Sequence, residues 1–155
     1  MDSGNIGFVL LCAAFVFVMT PGLAMFYGGL VRKKNVVNTM MTSIFIIGIG
    51  IVMWVLFGYS LSFAPSGNAF IGDFRWLGLE GVSLTEGYTD GASIPNMVFS
   101  AFQMMFAVIT PALITGAVAG RMKFKSIFVF TIFWSLIVYY PLAHMVWGQG
   151  GLLGA

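Results

Sequence analysis

The residues of this chain best suited to bind a ligand are aromatic. Phe102 and Phe106 are four positions apart, so a helix would place both rings on one face, with Phe99 one turn before them. Trp147 falls at the same outer level of the next apolar stretch. Because each ring face attracts a cation by about 0.5–2 kcal/mol, such a cluster could hold a small cation at the mouth of a helical bundle. Spacing alone slightly favours the alternative, an aromatic belt that faces lipid.

His144 is the one histidine of the sequence. A single imidazole cannot complete a metal site, so we expect a hydrogen bond that ties a helix end to its neighbour, with a transport role as the alternative. The sequence also has no glycine-rich phosphate loop, no cluster of His, Cys and acidic ligands, and no pair of carboxylates within an apolar stretch. We therefore predict no catalytic, metal or cofactor site and do not expect an enzyme.

The elements that position these residues are four long uncharged stretches. Mean hydropathy is +0.98 and only 8% of residues are charged, a composition that a water-soluble domain could not cover with polar surface. Each stretch reaches the length of about 20 residues that a membrane span needs, and none alternates as barrel strands do. The sequence therefore predicts an all-α polytopic membrane protein with spans at about 6–27, 36–63, 94–119 and 125–140. An external loop at 64–93 separates the second and third spans, and the fourth span should break at Pro141.

Charge placement predicts the orientation. Three bases follow the first span and three follow the third, and cytoplasmic loops carry such an excess. These six bases are Arg32, Lys33, Lys34, Arg121, Lys123 and Lys125. The acids fall at the amino terminus or in the loop at 64–93, which should face outward with the amino terminus. Because topology explains six of the seven bases, no nucleic-acid partner is expected.

Solvation limits what an aromatic mouth can do for a cation. Moving an isolated ammonium-sized charge into an apolar medium costs tens of kcal/mol, far more than ring contacts offset. The cation must stay hydrated, meet polar groups deeper in the bundle, or lose its proton and cross as a neutral species. Ammonium can take the last route, whereas potassium cannot.

Four sequence motifs, in order, carry a resemblance to a known family. They are MTPG at 19–22, FYGGLVRKKN at 26–35, FQMMFA with TPALI at 102–107 and 110–114, and PLAHMVWG at 141–148. Together they resemble the Amt branch of the Amt/Mep/Rh ammonium transporters over the whole chain. The resemblance identifies residues 1–155 as the amino-terminal part of a single ammonium transporter domain.

The resemblance implies roles for three residues. Phe102 and Trp147 match aromatic residues of an external ammonium recruitment site, and Phe106 matches the upper phenylalanine of the gate beneath it. It also implies an eleven-helix fold with inverted repeats, a homotrimer in the complete protein, a cell-membrane location, and a PII-type regulatory protein on the cytoplasmic side. The two pore histidines of the family lie outside this chain. Gly120 stands where the family usually has glutamate.

The predicted function is transmembrane transport of ammonium or ammonia: aromatic recruitment of the cation, deprotonation, and passage through a hydrophobic pore completed by helices absent here. Three alternatives remain open at this stage. They are an ammonium sensor on the same scaffold, a channel for another small neutral solute, and a non-conducting structural subunit.

Overall fold

A computed structural model describes residues 1–66 and 68–153 of the chain. Within these ranges there is no strand, and four helices are long and apolar enough to cross a membrane. These helices are α1 (Ser3–Leu30), α2 (Lys33–Phe63), α3 (Asn96–Val118) and α4 (Phe124–Trp147). The all-α prediction of four spans is therefore confirmed. Residue 67 of the predicted external loop and residues 154–155 lie outside the described ranges.

The predicted end of the fourth span is wrong. We expected this span to end near residue 140 and break at Pro141, but α4 continues through Pro141 to Trp147. A π-helical turn at Ser135–Tyr139 comes directly before the proline, and the Tyr140 N–H bonds to the Ser135 carbonyl five residues back. We attribute the continuity to this wider turn, which gives the proline ring room beside the carbonyls of the preceding turn.

A second π turn, Trp54–Gly58, lies in α2 and packs against the same part of α4. The Tyr140 ring covers Gly58, where an added Cβ would lie only 2.7 Å from the ring. Trp54 also meets Tyr140 at a ring-centroid distance of 6.1 Å. α2 and α4 thus pack through the rings of Trp54 and Tyr140, with the Tyr140 ring lying against Gly58.

α3 packs closely on α1 and α2 through two small residues four positions apart, Ala112 and Gly116. Gly116 lies beneath the Tyr27 ring, and the Tyr27 hydroxyl donates to the Leu113 carbonyl oxygen at 3.1 Å. The absence of a side chain at Gly116 makes room for the Tyr27 ring on α3.

Polar side chains also join α2 to α3 inside the bundle. Ser43 and Thr115 hydroxyls lie 3.3 Å apart, and Trp54 Nε1 donates to Ser100 Oγ at 3.3 Å. In a bilayer such groups find no water, so they pair with one another. These pairs fix the register of the two helices.

The loop between α2 and α3 is docked on the helix ends beside the amino terminus. Its backbone bonds to the amino terminus, since the Asp2 N–H donates to the Ser93 carbonyl at 2.9 Å, and Trp76 stacks on Tyr59 with centroids 5.5 Å apart. At the opposite end, Gly120 turns the chain with φ of +70°, a conformation that favours glycine, close to Asn35. The amino terminus and the loop therefore share one side, and the two basic connections share the other.

The contact between Tyr27 and Gly116 makes a stability prediction. Gly116→Ala places a methyl group where the Tyr27 ring lies, including its hydroxyl at 2.8 Å, so α1 and α3 must separate. We expect a loss of about 1–3 kcal/mol in the free energy of unfolding, measured by thermal unfolding of the detergent-solubilised protein. Gly48→Ala is the matched control, because its added methyl meets no atom within 4 Å. Equal unfolding temperatures for the two variants would contradict the packing account.

Candidate functional site

One cavity between α3 and α4 brings the three sequence-predicted site residues together. It has a volume of about 520 Å³ and opens on the surface of the bundle. Its lining residues are Phe102, Gln103, Phe106, Thr110, Trp134, Val138, Tyr139, Leu142, Ala143, Val146 and Trp147. We call this cavity the aromatic pocket.

The rings of the aromatic pocket are partly exposed. Phe102 and Phe106 meet edge to face, with centroids 5.1 Å apart and an interplanar angle of 80°. Phe106 is 37% exposed and Trp147 is 61% exposed. Ring surface is therefore available to a ligand in the pocket.

The α3 wall is a single helical stripe. Phe102, Phe106 and Thr110 follow one another at four-residue spacing, and Gln103 lies beside them. Thr110 Oγ1 donates to the Phe106 carbonyl at 2.6 Å, which directs this hydroxyl along the helix. Thr110 continues the four-residue spacing of Phe102 and Phe106, so the sequence alone was enough to place it on the same helix face.

The α4 wall depends on the π turn at Ser135–Tyr139. Tyr139 ends that turn and lines the aromatic pocket, whereas Tyr140, the next residue, is buried against α2. A π turn shifts the direction of the side chains that follow it. Tyr139 was missed from the sequence because the period of a regular helix does not reveal that turn.

None of the eleven lining residues is charged. A cation in the pocket would meet ring faces, the Gln103 amide oxygen and the hydroxyls of Thr110 and Tyr139. At about 30 Å³ per water molecule, the cavity has room for more than ten waters. The four helices thus form a pocket wide enough for a small cation together with its hydration shell.

Phe99 does not belong to the aromatic pocket, although spacing placed it one turn from Phe102. It stacks on Tyr88 of the loop between α2 and α3, with centroids 4.7 Å apart and an interplanar angle of 8°. Burial raises the pKa of Tyr88 to about 12, so its hydroxyl stays protonated at neutral pH. Tyr88 lies 59 positions before Trp147, too far for any local pattern to connect the two.

His144 is fully buried behind the aromatic pocket. Its Nδ1 lies 3.1 Å from the Ser62 carbonyl oxygen near the end of α2, and its Nε2 lies 3.1 Å from the Asn68 carbonyl oxygen and 3.3 Å from Ser66 Oγ. These contacts tie α4 to α2 and to the start of the loop that follows α2. They match the structural role expected for His144.

The sequence model of the Ammonium Transporter Family matches residues 7–155. This chain belongs to the Ammonium Transporter Family. It is 51% identical over 158 aligned residues to an ammonium transporter of Bacillus subtilis, and the match covers the whole chain and 38% of the relative.

Solved structures of this family share the fold of the chain. Mep2 of Saccharomyces cerevisiae is 34% identical, with a TM-score of 0.86 over 98% of this chain and 33% of Mep2. A protein described as a sensor Amt protein is 26% identical, with a TM-score of 0.82 over 96% of this chain and 34% of its own. The chain thus spans about a third of the length of its relatives. It is a multi-pass membrane segment of the family.

The hydrogen bonds of His144 make a second stability prediction. His144→Leu removes the side-chain contact to the Ser62 carbonyl oxygen, whose loss costs about 1–3 kcal/mol, and also the contact to the Asn68 carbonyl oxygen, which keeps Ser66 Oγ as a donor. We expect a lower unfolding temperature of the purified protein. Ile137→Ala, on the same helix at a position 68% exposed, is the control. A His144→Leu protein with the same unfolding temperature as the wild type would contradict the structural role.

Proposed function

We propose that the complete protein moves ammonium or ammonia across the cell membrane, and that this segment forms its external recruitment pocket. The observation that carries the proposal is the shared cavity of Phe102, Phe106 and Trp147. Their ring faces supply the attraction for a cation, and no carboxylate lines the cavity to hold it too tightly to leave. Ammonium transporters among the relatives give the substrate class.

Phe106 lies one helical turn, about 6 Å, deeper along α3 than Phe102. In this proposal ammonium binds near Phe102 and Trp147 while still hydrated, and Phe106 covers the way inward. Because the charged form would cost tens of kcal/mol in an apolar path, ammonium transfers its proton to water at the pocket opening near Phe106, and neutral ammonia continues inward. Helices outside this chain complete that path.

The proposed setting is the cell membrane, with the amino terminus outside. The six bases at one end of the bundle and the acids in the opposite loop support that orientation. We further propose a homotrimer for the complete protein and a PII-type regulatory protein as a cytoplasmic partner, both from membership of the family.

A sensor on the same scaffold is the second candidate. The similarity to the sensor Amt protein supports this candidate, because the same pocket can bind ammonium in a protein that transports it or in one that does not. Uptake of labelled methylammonium by cells or vesicles that contain the complete protein separates the candidates. A transporter accumulates the label, whereas a sensor or a channel for an unrelated neutral solute does not.

Trp147→Leu in the complete protein tests the recruitment pocket. Removing one ring face lowers the attraction for a cation by about 0.5–2 kcal/mol, so the half-saturation concentration for methylammonium should rise by about twofold to thirtyfold. Selectivity for ammonium over other cations should weaken in the same variant. Uptake kinetics at a matched protein level measure both.

Phe74→Leu is the matched control for that experiment. Phe74 is 63% exposed on the external loop and does not line the aromatic pocket, so its loss should leave half-saturation unchanged. Unchanged half-saturation and selectivity in Trp147→Leu would remove Trp147 from the recruitment site.

A further inference from the structure

Tyr88 of the external loop is bonded to the end of α4. Its hydroxyl accepts from the Gln149 N–H at 3.0 Å and makes a longer contact of 3.5 Å to the Trp147 carbonyl oxygen. The Gln149 side-chain amide donates in turn to the Tyr88 carbonyl oxygen. Tyr88 thus contacts the backbone of Trp147 and of Gln149, on both sides of Gly148.

The ring of Tyr88 packs against α2 and α3. It stacks face to face on Phe99 of α3 and meets Phe63, the last residue of α2, edge to face at 5.6 Å. Phe99 and Phe63 also meet each other, at 5.2 Å and 88°. The Tyr88 hydroxyl is therefore fixed relative to α3, the helix that carries Phe102 and Phe106.

Trp147 needs such a restraint because it ends its helix. The last residues of a helix lack part of their intrahelical bonding, and Trp147 is 61% exposed. The following Gly148 N–H closes the helix on the His144 carbonyl at 2.8 Å, and the Tyr88 contacts come directly after it. Since the Tyr88 hydroxyl stays neutral at physiological pH, it can accept and donate at once.

We propose that Tyr88 is a positioning residue for the aromatic pocket: it holds the Trp147 side of the pocket at a set distance from the Phe102 and Phe106 side. The inference rests on the proposed function, because it assigns Tyr88 an effect on cation recruitment. Tyr88 itself does not line the pocket and acts through the backbone at Trp147 and Gln149.

The test uses Tyr88→Phe in the complete protein, alone and combined with Trp147→Leu. Phenylalanine keeps the stacking on Phe99 and removes only the hydroxyl, so folding should be preserved. We expect the half-saturation concentration for methylammonium uptake to rise by about threefold to tenfold, with the maximal rate per protein molecule retained. In the Trp147→Leu background, Tyr88→Phe should add no further rise, because the side chain that it positions is gone. Leu84→Ala, 70% exposed on the same loop, is the control and should match the wild type.

The outcomes separate this inference from the proposed function. If Trp147→Leu raises half-saturation and Tyr88→Phe does not, the positioning role is wrong and the recruitment pocket stands. If Tyr88→Phe lowers only the amount of protein or the maximal rate, Tyr88 is merely structural and the inference fails. If Tyr88→Phe adds its full effect in the Trp147→Leu background, it does not act through Trp147, and the inference fails too. If Trp147→Leu itself changes nothing, both the recruitment site and the inference are overturned.

Discussion

The hydrocarbon interior offers no partner to a charge or to an unpaired backbone group, and the whole arrangement depends on that constraint. It requires helices in all four spans and moves the charged side chains to the connections. It also makes hydroxyl groups such as those of Ser43 and Thr115 pair within the bundle. The same constraint leaves the aromatic pocket with ring faces, an amide and hydroxyls as its only means of attracting a cation. In the proposed function, such a pocket holds a cation weakly, because ring contacts cannot offset the cost of moving the charge into hydrocarbon.

Close packing without a hydrophobic driving force depends on shape, and this chain obtains that shape from glycines and π turns. Gly58 and Gly116 each seat a tyrosine ring from a neighbouring helix. The π turn of α4 separates two consecutive tyrosines, so that Tyr139 lines the pocket and Tyr140 packs on α2. The packing of α4 on α2 and the wall of the pocket thus depend on two adjacent residues. A change in the π turn therefore alters both.

Composition and charge were enough to predict four helical spans, because solvation by lipid acts on every residue of a span. Four-residue spacing was enough to group Phe102 with Phe106, since both lie on one face of one regular helix. The failures occurred where the helix is not regular or where the contact is distant. The sequence predicts a break at Pro141 because the hydropathy pattern does not reveal the π turn before it. Tyr88 was missed because its partners lie on α2, on α3 and directly after α4, and no local pattern brings those together.

The central claim is that ring faces of the aromatic pocket bind the cation before its proton is lost. Nuclear magnetic resonance of ¹⁵N-labelled ammonium bound to the purified complete protein tests it most directly, because a nucleus above aromatic rings is shifted upfield by their ring currents. We predict an upfield-shifted ammonium signal that weakens when Phe102, Phe106 or Trp147 is replaced by leucine. A bound ammonium signal without this shift, or one unaffected by all three replacements, would contradict the account.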